Sequence, residues 1–241
     1  MSNTRGSSPD SLFSEVEHDV VEDKKSKIAS RIAPNIPGLW VFPNLLPDNI
    51  VHDVINAISS NDLFLGGQRN QVMLFDSPKS SSSSSSSSFK TSLPDYINIL
   101  IQTLYDLLKS ILPKDVLKLL FKQNLARQVI INLYQPGQGI KSHIDLPNRY
   151  SDGIIGCSLI GGCIMNFSNS KNEHELNYKV YMPPKTIYVL SDEVRWNWEH
   201  GIEDCIEDTI ENKDGSLETI LRDLRISLTF RWMKKGADLL N

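Results

Sequence analysis

"RISLTFRW", residues 225–232, alternates strictly: Arg225, Ser227, Thr229 and Arg231 against Ile226, Leu228, Phe230 and Trp232. Successive side chains of a strand point to opposite faces, so this stretch has one polar and one apolar side. Either it is a surface strand with its polar side in water, or the polar side lines the inside of a barrel while the apolar side packs beneath helices. The rest of the chain decides between the two.

Upstream, the apolar periodicity divides the chain. From Asp48, a candidate N-cap, Ile50, Val51, Val54, Ile55 and Ile58 form one helical stripe. A second amphipathic helix is expected over 93–112, with Leu93, Ile97, Leu100, Ile101, Leu104, Leu108 and Ile111, and a third near 115–125. After that the period changes to short β-branched or aromatic runs, "QVIINLY", "GIIGCSLI", "CIMNF", "YKVYM" and "KTIYVL". Turn residues separate them, as in a sandwich or barrel. "GLWVFPNLL" and "NQVMLFD" add strand-like pieces before the β region. The expected plan is α+β with a mainly β core.

The chain of 241 residues is large enough to bury a core without disulfides, and its three cysteines (Cys157, Cys163, Cys205) suit a reducing compartment. Residues 1–30 are charged, Ser-rich and without periodicity, and are expected to be a disordered polar tail. Residues 31–241 are expected to form one domain, interrupted at 79–90 by a flexible insertion containing nine serines, Ser80 to Ser88. No apolar run approaches the length of a membrane span, so an intracellular protein of nucleus or cytoplasm is expected, without a membrane partner. The "KKSK" at 24–27 is a weak nuclear signal. A net charge of −4 argues against a broad basic face for nucleic acid, though not against a local groove.

Two residues apart, His143 and Asp145 follow the Gly/Pro-punctuated "NLYQPGQG". Alone, such a pair is most often a turn in which the aspartate caps backbone amides. His200, in "WNWEHGI", supplies a third candidate that a sheet can bring back beside His143, although it also suits a turn next to Gly201. His18, His52 and His174 lie in tail, helix and polar loop. Two imidazoles and one carboxylate on one side of a metal leave positions open, which suits Fe(II). Arg225 and Arg231 stand about 20 Å apart along a strand, a gap that two long side chains can narrow to fit a five-carbon dicarboxylate. Iron ligands with a dicarboxylate clamp point to 2-oxoglutarate.

Four stretches, "NLYQPGQGIKSHID" (132–145), "SDEVRWNWEHGI" (191–202), "RISLTFR" (225–231) and more loosely "GLWVFPNLL", give a chain that resembles the AlkB-like Fe(II)/2-oxoglutarate dioxygenases from about Gly38 to Met233. The resemblance implies a double-stranded β-helix (jelly roll) backed by a layer of N-terminal helices. It implies iron held by His143, Asp145 and His200, and 2-oxoglutarate contacted by Asn132, Tyr134, Arg225, Ser227 and Arg231. Arg225 would pair with the distal carboxylate, and Arg231 would sit near the one that chelates iron. No catalytic residue is expected beyond these ligands. O2 is the second co-substrate, and the products from an N-methyl group are succinate, CO2 and formaldehyde.

Three departures bear on substrate. Leu146 and Pro147 stand where nucleobase demethylases carry a base-contacting acid, and Ser227 stands where the family has asparagine. Residues 201–224 hold eight acidic against two basic residues, which near the mouth would repel phosphate and attract a basic peptide, and which read equally as a solvated loop far from the mouth. The resemblance implies a substrate lid at 66–89, where Arg69, Met73 and Phe75 are candidates to face substrate, although Met73 and Phe75 read better as plain sheet residues without substrate contact. The chemistry best represented in the family the chain resembles makes the first expectation a monomeric demethylase of alkylated DNA or RNA, as in DNA repair. The second is a dioxygenase acting on a basic protein such as a histone, and the third a catalytically silent binding protein.

Overall fold

The computed structural model describes residues 28–67, 69–76, 93–169 and 176–237. The serine tract, and the tail as far as residue 27, lie outside the described residues. Ile28–Ser30, the end of the stretch read as tail, form strand β1, which runs parallel to two partners.

Proline sets the start of three helices. Pro47, Pro94 and Pro113 are the N-caps of α1 (Asp48–Ser60), α2 (Asp95–Leu108) and α3 (Lys114–Phe121). Asp48 is thus the first helical residue rather than the cap. It ion-pairs with Lys185 at 2.9 Å, and its charge suits the positive end of the helix. Helix α2 buries Ile97, Leu100, Leu104 and Leu108 completely, a stripe recurring every three or four residues.

These helices cover one face of a six-stranded antiparallel sheet. Its strands are β2 (Leu39–Phe42), β3 (Gln71–Asp76), β4 (Arg127–Tyr134), β6 (Ile154–Ile160), β9 (Ile187–Leu190) and β13 (Arg225–Trp232), in the order β2-β9-β6-β13-β4-β3. The second sheet has seven strands, ordered β12-β11-β1-β8-β7-β10-β5. They comprise β5 (Ile140–His143), β7 (Cys163–Asn169), β8 (Leu176–Met182), β10 (Glu199–Ile202), β11 (Glu207–Glu211), β12 (Leu217–Leu221) and β1. The two sheets form the jelly roll, and the short helix α4 (Asp192–Asn197) joins β9 to β10.

Strand alternation separates two cores. Val129, Ile131, Ile226, Leu228 and Phe230 pack with the helices, whereas Met165, Phe167, Val180, Met182, Tyr188 and Trp198 belong to a second cluster on the other side of the sheet. The polar side of β13 is therefore the one facing the second sheet. The acidic stretch after His200 is a hairpin rather than a loop. Strands β11 and β12 pair in register from Glu207↔Leu221 to Glu211↔Leu217, at the edge of the seven-stranded sheet opposite β5.

Leu104→Ala should destabilise the protein by about 2–5 kcal/mol, because a fully buried leucine leaves a cavity among rigid neighbours. Urea unfolding followed by circular dichroism checks this.

Candidate metal and co-substrate site

Antiparallel pairing of β10 with β5 sets His200 directly opposite His143, and their rings lie 4.6 Å apart at 45°. Gly201 permits this approach, since a Cβ there would meet the Ser142 amide nitrogen at 2.7 Å. Asp145 follows just beyond the end of β5, with 3% of its surface exposed, and its Oδ2 lies 3.7 Å from His200 Nε2. One donor atom from each of His143, Asp145 and His200 falls within 4.8 Å of the other two. Metal–nitrogen bonds of about 2 Å place neighbouring donors roughly 3 Å apart, so a small contraction closes the set.

Hydrogen bonding fits His143 for a metal. Its Nδ1 donates to the Lys141 carbonyl at 2.8 Å. A carbonyl only accepts, so the proton sits on Nδ1 and the Nε2 lone pair is left for a ligand role. Burial pushes the His200 pKa down to about 4, with the facing His143 and the charges of Arg231 and Arg195 adding to the shift against the attraction of Asp145. His200 is therefore neutral near pH 7, the state a metal requires.

The polar side of β13 closes the pocket. Arg225, Ser227, Thr229 and Arg231 line it together with Asn132 and Tyr134 from β4 and the three candidate ligands. Arg225 is buried; its Nη1 donates to Ser227 Oγ (3.1 Å) and its Nη2 to Ser158 Oγ (3.0 Å), while its Nε has no partner. Arg231 Nη1 pairs with Asp145 Oδ1 at 2.5 Å, and its Nε is likewise buried without an acceptor. Buried donors without acceptors are costly. Two such guanidiniums in one pocket fit an anionic ligand with carboxylates at both ends.

All eight residues expected from the sequence meet here. Tyr188, Ile154, Met165 and Leu190 also line it but carried no sequence signal, because each sits in an apolar run that reads as ordinary core. Tyr188 lies over Gly156, where a Cβ would come within 1.9 Å of its Cζ, and burial raises its pKa. A wider groove of about 530 Å³ adjoins the pocket through Asn132, Tyr134 and Ile140, and is lined also by Asn70, Gln71, Gln138 and Asp204. Gln71 Nε2 donates to Asn132 Oδ1 at 2.8 Å. Of the lid candidates, Met73 and Phe75 share the face of β3 that carries Gln71, since Val72 and Leu74 pack toward the helices. Met73 is half exposed, Phe75 packs near Tyr150 and Met233, and Arg69 is exposed.

A family model described as the 2OG-Fe(II) oxygenase superfamily matches residues 68–231. Over 119 residues the chain is 32% identical to mouse tRNA (carboxymethyluridine(34)-5-O)-methyltransferase ALKBH8, which covers 45% of this chain and 18% of that protein. It is 23% identical over 223 residues to a Caenorhabditis elegans DNA N6-methyl adenine demethylase, covering 88% and 66%. The chain spans 18% to 47% of the length of four curated relatives that it matches above 30% identity. The solved structure of OsALKBH1 superposes with a TM-score of 0.50 at 18% identity, over 83% of this chain and 100% of that one, and shares the fold.

His200 makes the metal-free protein pH-sensitive. Its folded pKa, near 4, lies below the unfolded value of 6.5. Between those limits the unfolded chain takes up a proton that the folded one refuses, so stability falls as pH drops from about 6.5 toward 4. Urea midpoints at pH 7.5 and 5.0 should differ less in His200→Asn than in the parent.

Proposed function

Because the chain belongs to the 2OG-Fe(II) oxygenase superfamily, as an AlkB-like Fe(II)/2-oxoglutarate dioxygenase, we propose that it oxidatively removes N-linked alkyl groups from nucleic acid. The observation that carries the catalytic part is the shared pocket: the His143–Asp145–His200 set lines it together with the polar side of β13, including the guanidiniums of Arg225 and Arg231. In this reading the jelly roll, from β1 at Ile28 onward, is the catalytic domain, and the three residues hold iron.

Bound iron, with 2-oxoglutarate and O2, supplies oxidation of a substrate C–H bond as the co-substrate becomes succinate and CO2. The chain does the rest. Arg225 holds the distal carboxylate by charge and fork geometry, with Ser227, Ser158 and the Tyr134 ring (5.1 Å) keeping its guanidinium in place. Arg231 fixes Asp145 and presents positive charge beside the metal-side carboxylate. The Lys141 carbonyl keeps the His143 proton on Nδ1. Ile154, Met165 and Leu190 exclude water. Collapse of a hydroxylated N-methyl group would release formaldehyde.

Two observations favour nucleic acid over a basic peptide as substrate. The groove beside the pocket is lined by the amides of Asn70, Gln71, Asn132 and Gln138, with Asp204 its one charged residue. Neutral donors and acceptors suit the edge of a heterocyclic base, and a flipped base needs little footprint. Three of the eight acidic residues that would attract a histone-like tail are held in ion pairs. Asp208 is paired with Arg222 (2.8 Å), Glu203 with Lys179 (2.8 Å) and Glu218 with Arg31 (2.6 Å). The relatives whose names mention tRNA and DNA add to this reading.

Two measurements test it. With Fe(II), ascorbate and 2-oxoglutarate, the protein should release succinate without a prime substrate, and His143→Ala should abolish that release. Mass spectrometry of N-methylated single-stranded DNA and RNA oligonucleotides and methylated histone peptides should show loss of methyl, with formaldehyde, on an oligonucleotide. Loss on the histone peptides alone transfers the activity to protein. Arg225→Lys, which loses the fork, should raise KM for 2-oxoglutarate by roughly tenfold or more, the cost of about one charge-assisted hydrogen bond.

A further inference from the structure

Arg195 lies outside the pocket lining and has no part in the reaction as described, yet only 2% of it is exposed, making it one of the most deeply buried side chains described. Its hydrogen bonds go to three backbone carbonyls. Nη1 donates to the Asp145 carbonyl (2.9 Å), Nη2 to that of Tyr150 (3.1 Å) and Nε to that of Ser151 (3.3 Å). A guanidinium stays charged, so burying it costs free energy that these charge-assisted bonds must offset.

The three acceptors bracket the segment from Asp145 to Ser151, which joins the ladder only through the Tyr150–Met233 bridge. Asp145 itself sits beyond the end of β5 and has no partner in the ladder. Strand pairing places His143 and His200, whereas the Asp145 carbonyl accepts from Arg195. The carboxylate is held from the other side by Arg231. Helix α4, which carries Arg195, ends at Asn197 and leads within three residues to His200. One side chain thus ties the segment bearing the carboxylate to the segment bearing the second imidazole, fifty positions away in sequence. The far end of the bracketed segment is anchored to β13, through the Ser151 amide donating to the Trp232 carbonyl (2.8 Å) next to Arg231.

We infer that Arg195 is a positioning residue for metal binding: its fork holds the Asp145 main chain at the height where the carboxylate completes the set with His143 and His200. This rests on the reading of those three residues as the metal site. Partners that orient metal ligands typically change affinity by about 10–100-fold when removed.

Mn(II) binding, titrated by the EPR signal of the free ion, tests this. Arg195→Met keeps an unbranched apolar stem and removes all three donors, and should weaken Mn(II) at least about tenfold. Arg195→Lys keeps the charge but not the fork, and should weaken it at least about threefold, scaled from the same range. Arg127→Met is the control. Arg127 is buried, donates to the Leu120 carbonyl (2.8 Å) and covers the Trp232 ring at 4.0 Å. It should lower the melting temperature while leaving Mn(II) affinity unchanged. If Arg195→Met does not fold, the lysine variant decides. A folded Arg195 variant that binds Mn(II) within about threefold of the parent overturns the inference, whatever its melting temperature. His143→Ala separates the two levels: unchanged Mn(II) affinity there means that the metal site itself has been misread.

Discussion

Four polar side chains on the inner face of a central strand cost free energy unless something inside the protein meets them. That constraint, imposed by Arg225, Ser227, Thr229 and Arg231, shapes the molecule. The other face of the strand packs Ile226, Leu228 and Phe230 beneath the helices, so the helices cannot shield its polar side from water. A second sheet must cover it, and what that sheet brings across is Asp145, His143 and His200. Arg231 is met by Asp145 and Arg225 in part by two serine hydroxyls. Each guanidinium keeps one buried nitrogen without an acceptor, which fits an anionic ligand.

The alternation in "RISLTFRW" made this arrangement legible, because period two in a strand fixes faces without knowledge of partners. The helices were readable from their stripes for the same reason. Short strands were not. Ile140–His143, Glu199–Ile202 and the acidic hairpin of Glu207–Glu211 with Leu217–Leu221 have too few apolar residues to show a period. They are strands because of what they pair with. Asp48 was expected to cap a helix that Pro47 starts; the fixed φ of proline does locally what a capping side chain would otherwise do.

Within the site, residue types with distinctive chemistry could be found from sequence, and those with ordinary chemistry could not. Histidine, aspartate and arginine stand out in a β region, whereas Tyr188 and Met165 look like core until the pocket is drawn around them. Arg195 is the instructive case. It lay in a stretch already singled out, but its partners are backbone carbonyls 44 to 50 positions upstream, and a carbonyl has no residue type for a pattern to detect.

The account depends most on two imidazoles, a carboxylate and two guanidiniums serving one ligand pair. A crystal structure of the protein grown anaerobically with Mn(II) and 2-oxoglutarate tests it most directly, through the anomalous signal of the metal. The account predicts a single strong peak within bonding distance of His143, Asp145 and His200, and the distal carboxylate of the keto acid against Arg225. A peak held by other residues, or a keto acid bound away from Arg225, would contradict it.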